Sequence, residues 1–157
     1  MMLTPHFSLA ELTFSATAQR KQIDNTPPVA IVQNLHLLAA GLEDVRAALG
    51  GLPLRINSGY RCPALNRAVG GARLSAHMSG HAADFVCPDF GSPLEIVRAL
   101  AKSDITFDKL IQEGTWMHIS FAPEGRRQLL TAHFGVGGTT YTAGVECCGH
   151  GWPQRCS

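Results

Sequence analysis

Residues 58–85 read SGYRCPALNRAVGGARLSAHMSGHAADF and contain most of the residues that decide the fold and its chemistry. Within this stretch His77 and Asp84 are separated by Gly80, and a glycine there can bend the chain so that both side chains face one point. A catalytic zinc ion takes three nitrogen or oxygen ligands and leaves a fourth position open for water. A histidine further along the chain, His118, completes that set. The sequence therefore predicts a zinc site formed by His77, Asp84 and His118.

A second stretch, FDKLIQEGTWMHISF at residues 107–121, predicts a β-hairpin. Its two strand candidates are separated by Gly114-Thr115, and a two-residue loop that begins with glycine suits a type II′ turn. Glu113 then lies opposite Trp116. Because side chains alternate between the faces of a sheet, both share a face with His118, and Glu113 is its diagonal neighbour at roughly 7–8 Å. We expect Glu113 and His118 to reach the same metal-bound water.

Glu113 and Arg61 supply the groups that hydrolysis at such a site requires. A carboxylate can accept a proton from metal-bound water and pass it to the leaving amine. The rigid fork of donors on Arg61 suits a developing oxyanion or a substrate carboxylate. The structural alternatives are a solvent-facing carboxylate for Glu113 and a bridge between turn carbonyls for Arg61. Tyr60, Ser75 and Trp116 are the predicted substrate-contacting residues, with core packing as the alternative for the two aromatic ones.

Length, composition and charge limit the other function classes. A chain of 157 residues suits one domain with a real core, and 45% hydrophobic with 16% charged residues is typical of a globular protein. A net charge of +1 gives no electrostatic case for binding nucleic acid or an acidic membrane. No apolar run approaches the roughly 20 residues of a membrane span. The start MMLTPHFSLAEL lacks the pattern of a secretory signal, so we expect synthesis in the cytoplasm.

The five cysteines favour free thiols, because no secretory signal is seen. A Cys62–Cys87 bridge stays open, since spacing alone cannot decide it. The remaining three cysteines crowd the final segment VECCGHGWPQRCS, at residues 145–157. With His150 they resemble no structural zinc pattern, and we treat this segment as a tail outside the domain.

The rest of the chain predicts helices around a small sheet. Ser8 and Glu11 resemble a capping box, and the polar run 15–25 is typical of a loop. Thr26-Pro27 predicts the start of the longest helix, whose apolar residues keep helical spacing as far as Leu49. Further helices are predicted at 63–69 and 93–102, strands at 53–57, 82–86, 108–113 and 116–121, and an edge strand with a closing loop within 125–144.

These residues together resemble the zinc D-Ala-D-Ala carboxypeptidase family of peptidoglycan peptidases, whose relatives include phage endolysin peptidases and vancomycin-resistance dipeptidases. The matching pieces are SGYR at 58–61, Asn66 with Gly70-Gly71, SAHMSGHAAD at 75–84, and FDKLIQEGTWMHIS at 107–120. The resemblance extends over most of residues 6–144.

The resemblance implies a role for each site residue. His77, Asp84 and His118 would bind one catalytic Zn²⁺, and Arg61 would stabilise the transition state. Relatives carry the catalytic group three or five residues before the last histidine. Here the third residue back is Thr115, so Glu113, the fifth, is the predicted base.

The resemblance also implies a fold, a domain and an activity. The fold is α+β, a small antiparallel sheet with helices packed on one side, of the hedgehog/DD-peptidase type. The zinc peptidase domain spans 1–144 and the Cys-rich tail 145–157. The implied activity is hydrolysis of peptidoglycan peptide stems or cross-links at D-Ala bonds. The alternatives are an L-alanyl-D-glutamate endopeptidase and a non-catalytic zinc module that binds the wall or belongs to a virion.

Small size and the absence of a recognisable signal or wall-binding repeat favour a phage or prophage endolysin. Such a protein would be released by a holin and would act on the cell wall in the periplasm. Its partner would be the peptide stem of peptidoglycan, and we expect it to act as a monomer.

Overall fold

One six-stranded sheet organises the part of the chain that this computed structural model describes, residues 1–144. The strands lie in the order β1-β2-β4-β3-β5-β6, and all neighbours are antiparallel except β3 and β5. In chain order they are β1 (Arg55–Ser58), β2 (Ala82–Val86), β3 (Lys109–Gln112), β4 (Met117–Ser120), β5 (Gln128–Gly135) and β6 (Gly138–Ala143). The cysteine-rich segment, and with it the prediction for residues 145–157, lies outside the described residues.

The helices within residues 1–144 are α1 (Leu9–Thr13), α2 (Ala16–Lys21), α3 (Val29–Ala48), α4 (Pro63–Ala68) and α5 (Pro93–Ala101). None of them is long and apolar enough to span a membrane. Helices together with a mostly antiparallel sheet confirm the predicted α+β class. The one parallel pairing, between β3 and β5, was not predicted.

One face of the sheet carries the core. On β2 and β4, Phe85 pairs with Met117 and Ala83 pairs with Ile119, and all four side chains are fully buried. They join one cluster with apolar residues of α1, α3 and α5. Each large apolar side chain buried in this way contributes roughly 1.5–3 kcal/mol. Since side chains alternate along a strand, the residues between them face away from the core, and Asp84 is one of these.

The polar run 15–25, predicted as a loop, contains α2, so that prediction is wrong. The Ser15 hydroxyl accepts a hydrogen bond from the Ala18 N–H at 3.2 Å and caps the helix. Gln22 ends it in the left-handed conformation, at φ 54°. Only Ala18 is buried, so the helix has almost no apolar periodicity by which sequence analysis could find it.

The longest helix, α3, begins at Val29 and not at Thr26-Pro27 as predicted. Pro28 occupies the N-cap position with extended backbone, at ψ 157°. The ring of Pro28 also disfavours helical backbone at Pro27, the residue before it. The second proline of the pair therefore moves the helix start.

The segment 125–144, predicted as an edge strand with a closing loop, forms the complete hairpin of β5 and β6. Every residue of β6 is exposed, so no buried–exposed alternation marks it as a strand. Cys62 and Cys87 are both free thiols, which agrees with the prediction for an unbridged chain and excludes the disulfide that spacing left open.

Candidate metal centre and active site

Strand pairing places Asp84 and His118 side by side. They are direct partners across β2 and β4, on the face opposite the core. His77 comes from the loop between α4 and β2. Asp84 Oδ1 lies 2.9 Å from His118 Nδ1 and 3.2 Å from His77 Nε2. One ligand atom from each residue lies within 4.8 Å of the other two, so the structure brings together the three predicted ligands.

The orientation of His77 is set by a backbone carbonyl. His77 is 2% exposed, and its Nδ1 lies 2.7 Å from the carbonyl oxygen of Gly59. The carbonyl can only accept, so Nδ1 carries the proton and Nε2 is left free towards Asp84. A side chain at Gly59 is excluded, because its Cβ would lie 2.3 Å from the Leu12 carbonyl oxygen. Packing against α1 thus holds the carbonyl that orients this imidazole.

Asp84 is held in its charged form. Burial alone would raise its pKa, but the two imidazoles beside it, those of His118 and His77, hold the pKa well below its ordinary value. A charged carboxylate between two imidazoles attracts a divalent cation.

The donor set fits a zinc ion. Two imidazole nitrogens and one carboxylate oxygen are ligands that Zn²⁺ takes in catalytic sites, where three protein ligands leave the fourth position free. The side chains of His118 and Asp84 keep 13% and 16% of their surface exposed, so the group is open on one side. Substrate and water can approach from there.

Glu113 lies at the end of the predicted hairpin, next to this group. The hairpin itself is confirmed, because Ile111 pairs with His118 and the Glu113 N–H donates to the Trp116 carbonyl at 2.9 Å. Burial and the charge of Asp84 raise the pKa of Glu113, while His118, a hydrogen bond from the Trp116 side chain and Arg61 lower it. The net shift is upwards, in the direction a proton acceptor requires.

Arg61 faces the same carboxylates. Burial lowers the pKa of its guanidinium, and the charges of Asp84 and Glu113 oppose that shift. Its backbone N–H donates to the His77 carbonyl at 3.1 Å, which ties the arginine to the ligand loop. Within residues 1–144 its Nε is buried and has no hydrogen-bond partner. A buried donor with no partner can serve a substrate oxygen.

The three predicted substrate-contacting residues are placed differently. Tyr60 is 4% exposed and belongs to the core cluster, so the structure favours its packing alternative. The Ser75 hydroxyl accepts from the His77 N–H at 3.3 Å and shapes the ligand loop. Trp116 is half-buried beside Glu113, with its ring 6.0 Å from that of Phe134. His81 lies with Nδ1 2.9 Å from the Ser79 hydroxyl and is not a member of the metal-binding group.

The side of the site formed by β5 and β6 was not predicted. Phe134 packs against Trp116, and strand pairing places Tyr141 on the same face of the sheet. Every residue of β6 is exposed, so its burial pattern does not mark a strand. No local pattern shows that β5 pairs with β3, so neither residue could be assigned to the site from the sequence.

Comparison with known proteins agrees with this geometry. The family model described as Peptidase M15 matches residues 5–120. A zinc D-Ala-D-Ala carboxypeptidase from Streptomyces albus G is 49% identical over 43 residues, which make up 27% of this chain and 17% of that protein. The chain thus matches less than a fifth of that relative's length. Since the family model spans well over half of the chain and the His–Asp–His group fits one zinc ion, the chain belongs to the peptidase M15 family, the zinc metallopeptidase class that its sequence predicted.

Proposed function

We propose that this protein hydrolyses the peptide stems or cross-links of bacterial peptidoglycan at D-Ala bonds. One observation carries the proposal: strand register places Glu113 on the same face as the His77–Asp84–His118 group, and the backbone of Arg61 is hydrogen-bonded to His77 in the ligand loop. The Streptomyces relative, named for the D-Ala-D-Ala bond, supports the choice of bond.

Each residue of the site has a distinct role in the proposed reaction. His77, Asp84 and His118 would hold a zinc ion, which would supply polarisation of the scissile carbonyl and a lowered pKa of the attacking water. Glu113 accepts the proton that this water loses, and delivers it to the nitrogen of the leaving amine as the C–N bond breaks. The Arg61 guanidinium donates to the carbonyl oxygen as negative charge develops there. Ser75 and Trp116 remain proposed substrate contacts, whereas Tyr60 is better assigned to the core.

A finer proposal concerns where the protein acts. The proposed substrate lies in the cell wall, so a protein made in the cytoplasm must cross the membrane to reach it. We propose a monomeric phage or prophage endolysin, released into the periplasm by a holin. Co-expression with a holin should lyse cells that tolerate the protein alone. Lysis that is independent of the holin would contradict this route.

The first test is mass spectrometry of purified peptidoglycan incubated with the protein, with and without a chelator. We expect chelator-sensitive loss of terminal D-Ala or opening of cross-links. Stems cut after L-Ala would instead favour an L-alanyl-D-glutamate endopeptidase. The absence of any product on walls of several chemotypes would favour a zinc module that binds without cleaving.

Glu113→Gln tests the proposed base in the same assay. We expect turnover to fall by at least about a hundredfold while bound zinc, measured by elemental analysis, is unchanged, because only the proton acceptor is lost. Glu124→Gln is the matched control, since Glu124 is an exposed carboxylate in the loop after β4. A wild-type rate in Glu113→Gln would show that another group is the base.

A further inference from the structure

The hairpin of β5 and β6 extends the catalytic face beyond the residues that match the family. The matched segment ends at residue 120, and the hairpin begins at Gln128. Ile111 of β3 pairs with Leu130 of β5, two residues before Ala132. Ala132 in turn pairs with Tyr141 of β6. Because directly paired residues share a face of the sheet, Tyr141 lies on the same face as the metal-binding group.

Tyr141 and Glu113 lie on either side of a small residue. Gln112 of β3 pairs with Thr131 of β5, so the next residue, Glu113, lies beside Ala132. Ala132 pairs with Tyr141 of β6, so Glu113, Ala132 and Tyr141 form one row across the sheet. Two strand spacings amount to about 10 Å, and the side chain between them is a single methyl group. Tyr141 is 53% exposed, so its hydroxyl can reach a molecule that lies along this row. Burial and the charges of Glu113 and Asp84 raise the pKa of Tyr141, which agrees with that placement.

Aromatic packing fixes the hairpin to the turn that carries Glu113. The Phe134 ring lies 6.0 Å from the ring of Trp116, whose carbonyl accepts a hydrogen bond from the Glu113 N–H across the turn. A Cβ on Gly114 would meet Phe134 at 3.7 Å, an ordinary van der Waals distance, so this ring also lies close over the turn. The position of Tyr141 relative to Glu113 is therefore set by packing as well as by strand pairing.

The proposed proton transfer indicates which part of the substrate lies on this side of the site. The metal ligands on strands lie on β2 and β4, while Glu113 follows β3 on the side of β5 and β6. Glu113 must reach the leaving nitrogen, so the leaving part of the substrate extends from Glu113 towards Tyr141. We propose that the Tyr141 hydroxyl donates a hydrogen bond to a carboxylate or carbonyl oxygen of the residue that follows the scissile bond. This inference rests on the proposed function and adds a residue that selects the leaving group.

The test is a thermodynamic cycle, analogous to a double-mutant cycle, that combines one substitution in the enzyme with one change in the substrate. Tyr141→Phe removes only the hydroxyl, and a stem peptide in which ethylamine replaces the terminal D-Ala removes only the carboxylate. On the D-Ala peptide we expect Tyr141→Phe to raise KM about tenfold and to leave kcat within about twofold. On the ethylamide the variant and the wild type should be equal, because the partner oxygen is missing. Thr140→Ala, whose position faces the other side of the sheet, is the control.

Three outcomes would overturn the inference, and they are distinguishable. If the wild type cleaves the D-Ala peptide and Tyr141→Phe has an unchanged KM, Tyr141 does not contact the leaving residue. If Tyr141→Phe raises KM by the same factor for both substrates, the hydroxyl acts elsewhere in the site. If the wild type cleaves neither peptide, the proposed function itself fails. Calorimetric binding of the D-Ala peptide to zinc-loaded Glu113→Gln, with and without Tyr141→Phe, should reproduce the tenfold loss without turnover.

Discussion

Gly71 lies where no side-chain carbon fits. A Cβ there would lie 2.0 Å from Asn66 Oδ1 and 3.1 Å from Arg61 Nη1. Asn66 cannot easily move away, because it is 3% exposed and its Nδ2 donates to the Ala72 carbonyl at 2.9 Å. Gly71, the second glycine of the pair in the sequence, thus borders the arginine proposed to stabilise the transition state.

Gly71→Ala should therefore affect both folding and turnover. We expect the free energy of unfolding to fall by about 1–3 kcal/mol, as for other overpacked sites. We expect kcat to fall at least about tenfold, because small displacements of a catalytic group are costly. Gly137→Ala is the control, since nothing lies within 4 Å of its Cβ position. Denaturant titration and peptide hydrolysis measure the two effects, and a Gly71→Ala protein with wild-type kcat would argue against a catalytic Arg61.

Among the single residues of the site, those that could be predicted have reactive side chains and lie in a short, local sequence pattern. His77 and Asp84 flank a glycine in one stretch, and Glu113 and His118 share a hairpin whose turn is local. Tyr141 was not predictable, because it reaches the site only through the pairing of β5 with β3, and no local pattern encodes that contact.

The C-terminal end of helix α5 is held by an arginine from another part of the chain. The Arg127 guanidinium donates to the carbonyls of Leu100, Ala101, Ser103 and Ile105, and it lies 4.9 Å over the ring of Phe107. The last carbonyls of a helix lack partners within the helix, and Arg127 satisfies several of them. Its backbone is left-handed, at φ 54°, which is unusual for a residue with a side chain.

Arg127→Ala should lower the free energy of unfolding by about 1–2 kcal/mol, because several carbonyls lose a charged donor. Arg127→Lys should recover only part of this loss, since one ammonium cannot replace a fork of donors. The control is Arg73→Ala, an exposed arginine in the loop between α4 and β2. Thermal and chemical unfolding give the comparison. Equal stability of the Arg127 and Arg73 variants would contradict the role of this cap.

Helices and strands could be predicted where their own residues carry a turn, capping or alternation pattern. The hairpin around Gly114 has a specific turn and alternating sides, and α5 has a capping box at Ser92 and Glu95. Helix α2 has neither an apolar face nor length, and only its cap at Ser15 distinguishes it from a loop. The start of α3 was predicted wrongly for a different reason, because it depends on how Pro28 restricts the backbone of Pro27.

Across the whole molecule, the ligand group joins segments that are distant along the chain. His77 lies in a loop, Asp84 on β2 and His118 on β4, and the sheet order brings them together. An ion bound to all three ligands stabilises the native state, because the unfolded chain offers no such group.

Zinc should therefore raise the melting temperature, and chelation should lower it. At a free zinc concentration about 100 times Kd the expected stabilisation is about 2.7 kcal/mol. His77→Ala should lose this dependence on zinc, while His36→Ala, on the exposed side of α3, should keep it. Differential scanning calorimetry with and without a chelator makes the comparison. A zinc-independent melting temperature in the wild type would contradict the proposed ligand set.

The direct pairing of Asp84 with His118 limits how the gene can change in length. Adding or removing one residue within β2 or β4 would turn one of the two ligands into the core and bring an apolar side chain to the open face. The connections between strands tolerate length changes better, because no pairing register there decides which face a side chain takes. In an evolving lineage, insertions and deletions should therefore accumulate between the strands, and the spacing within each strand should be inherited unchanged.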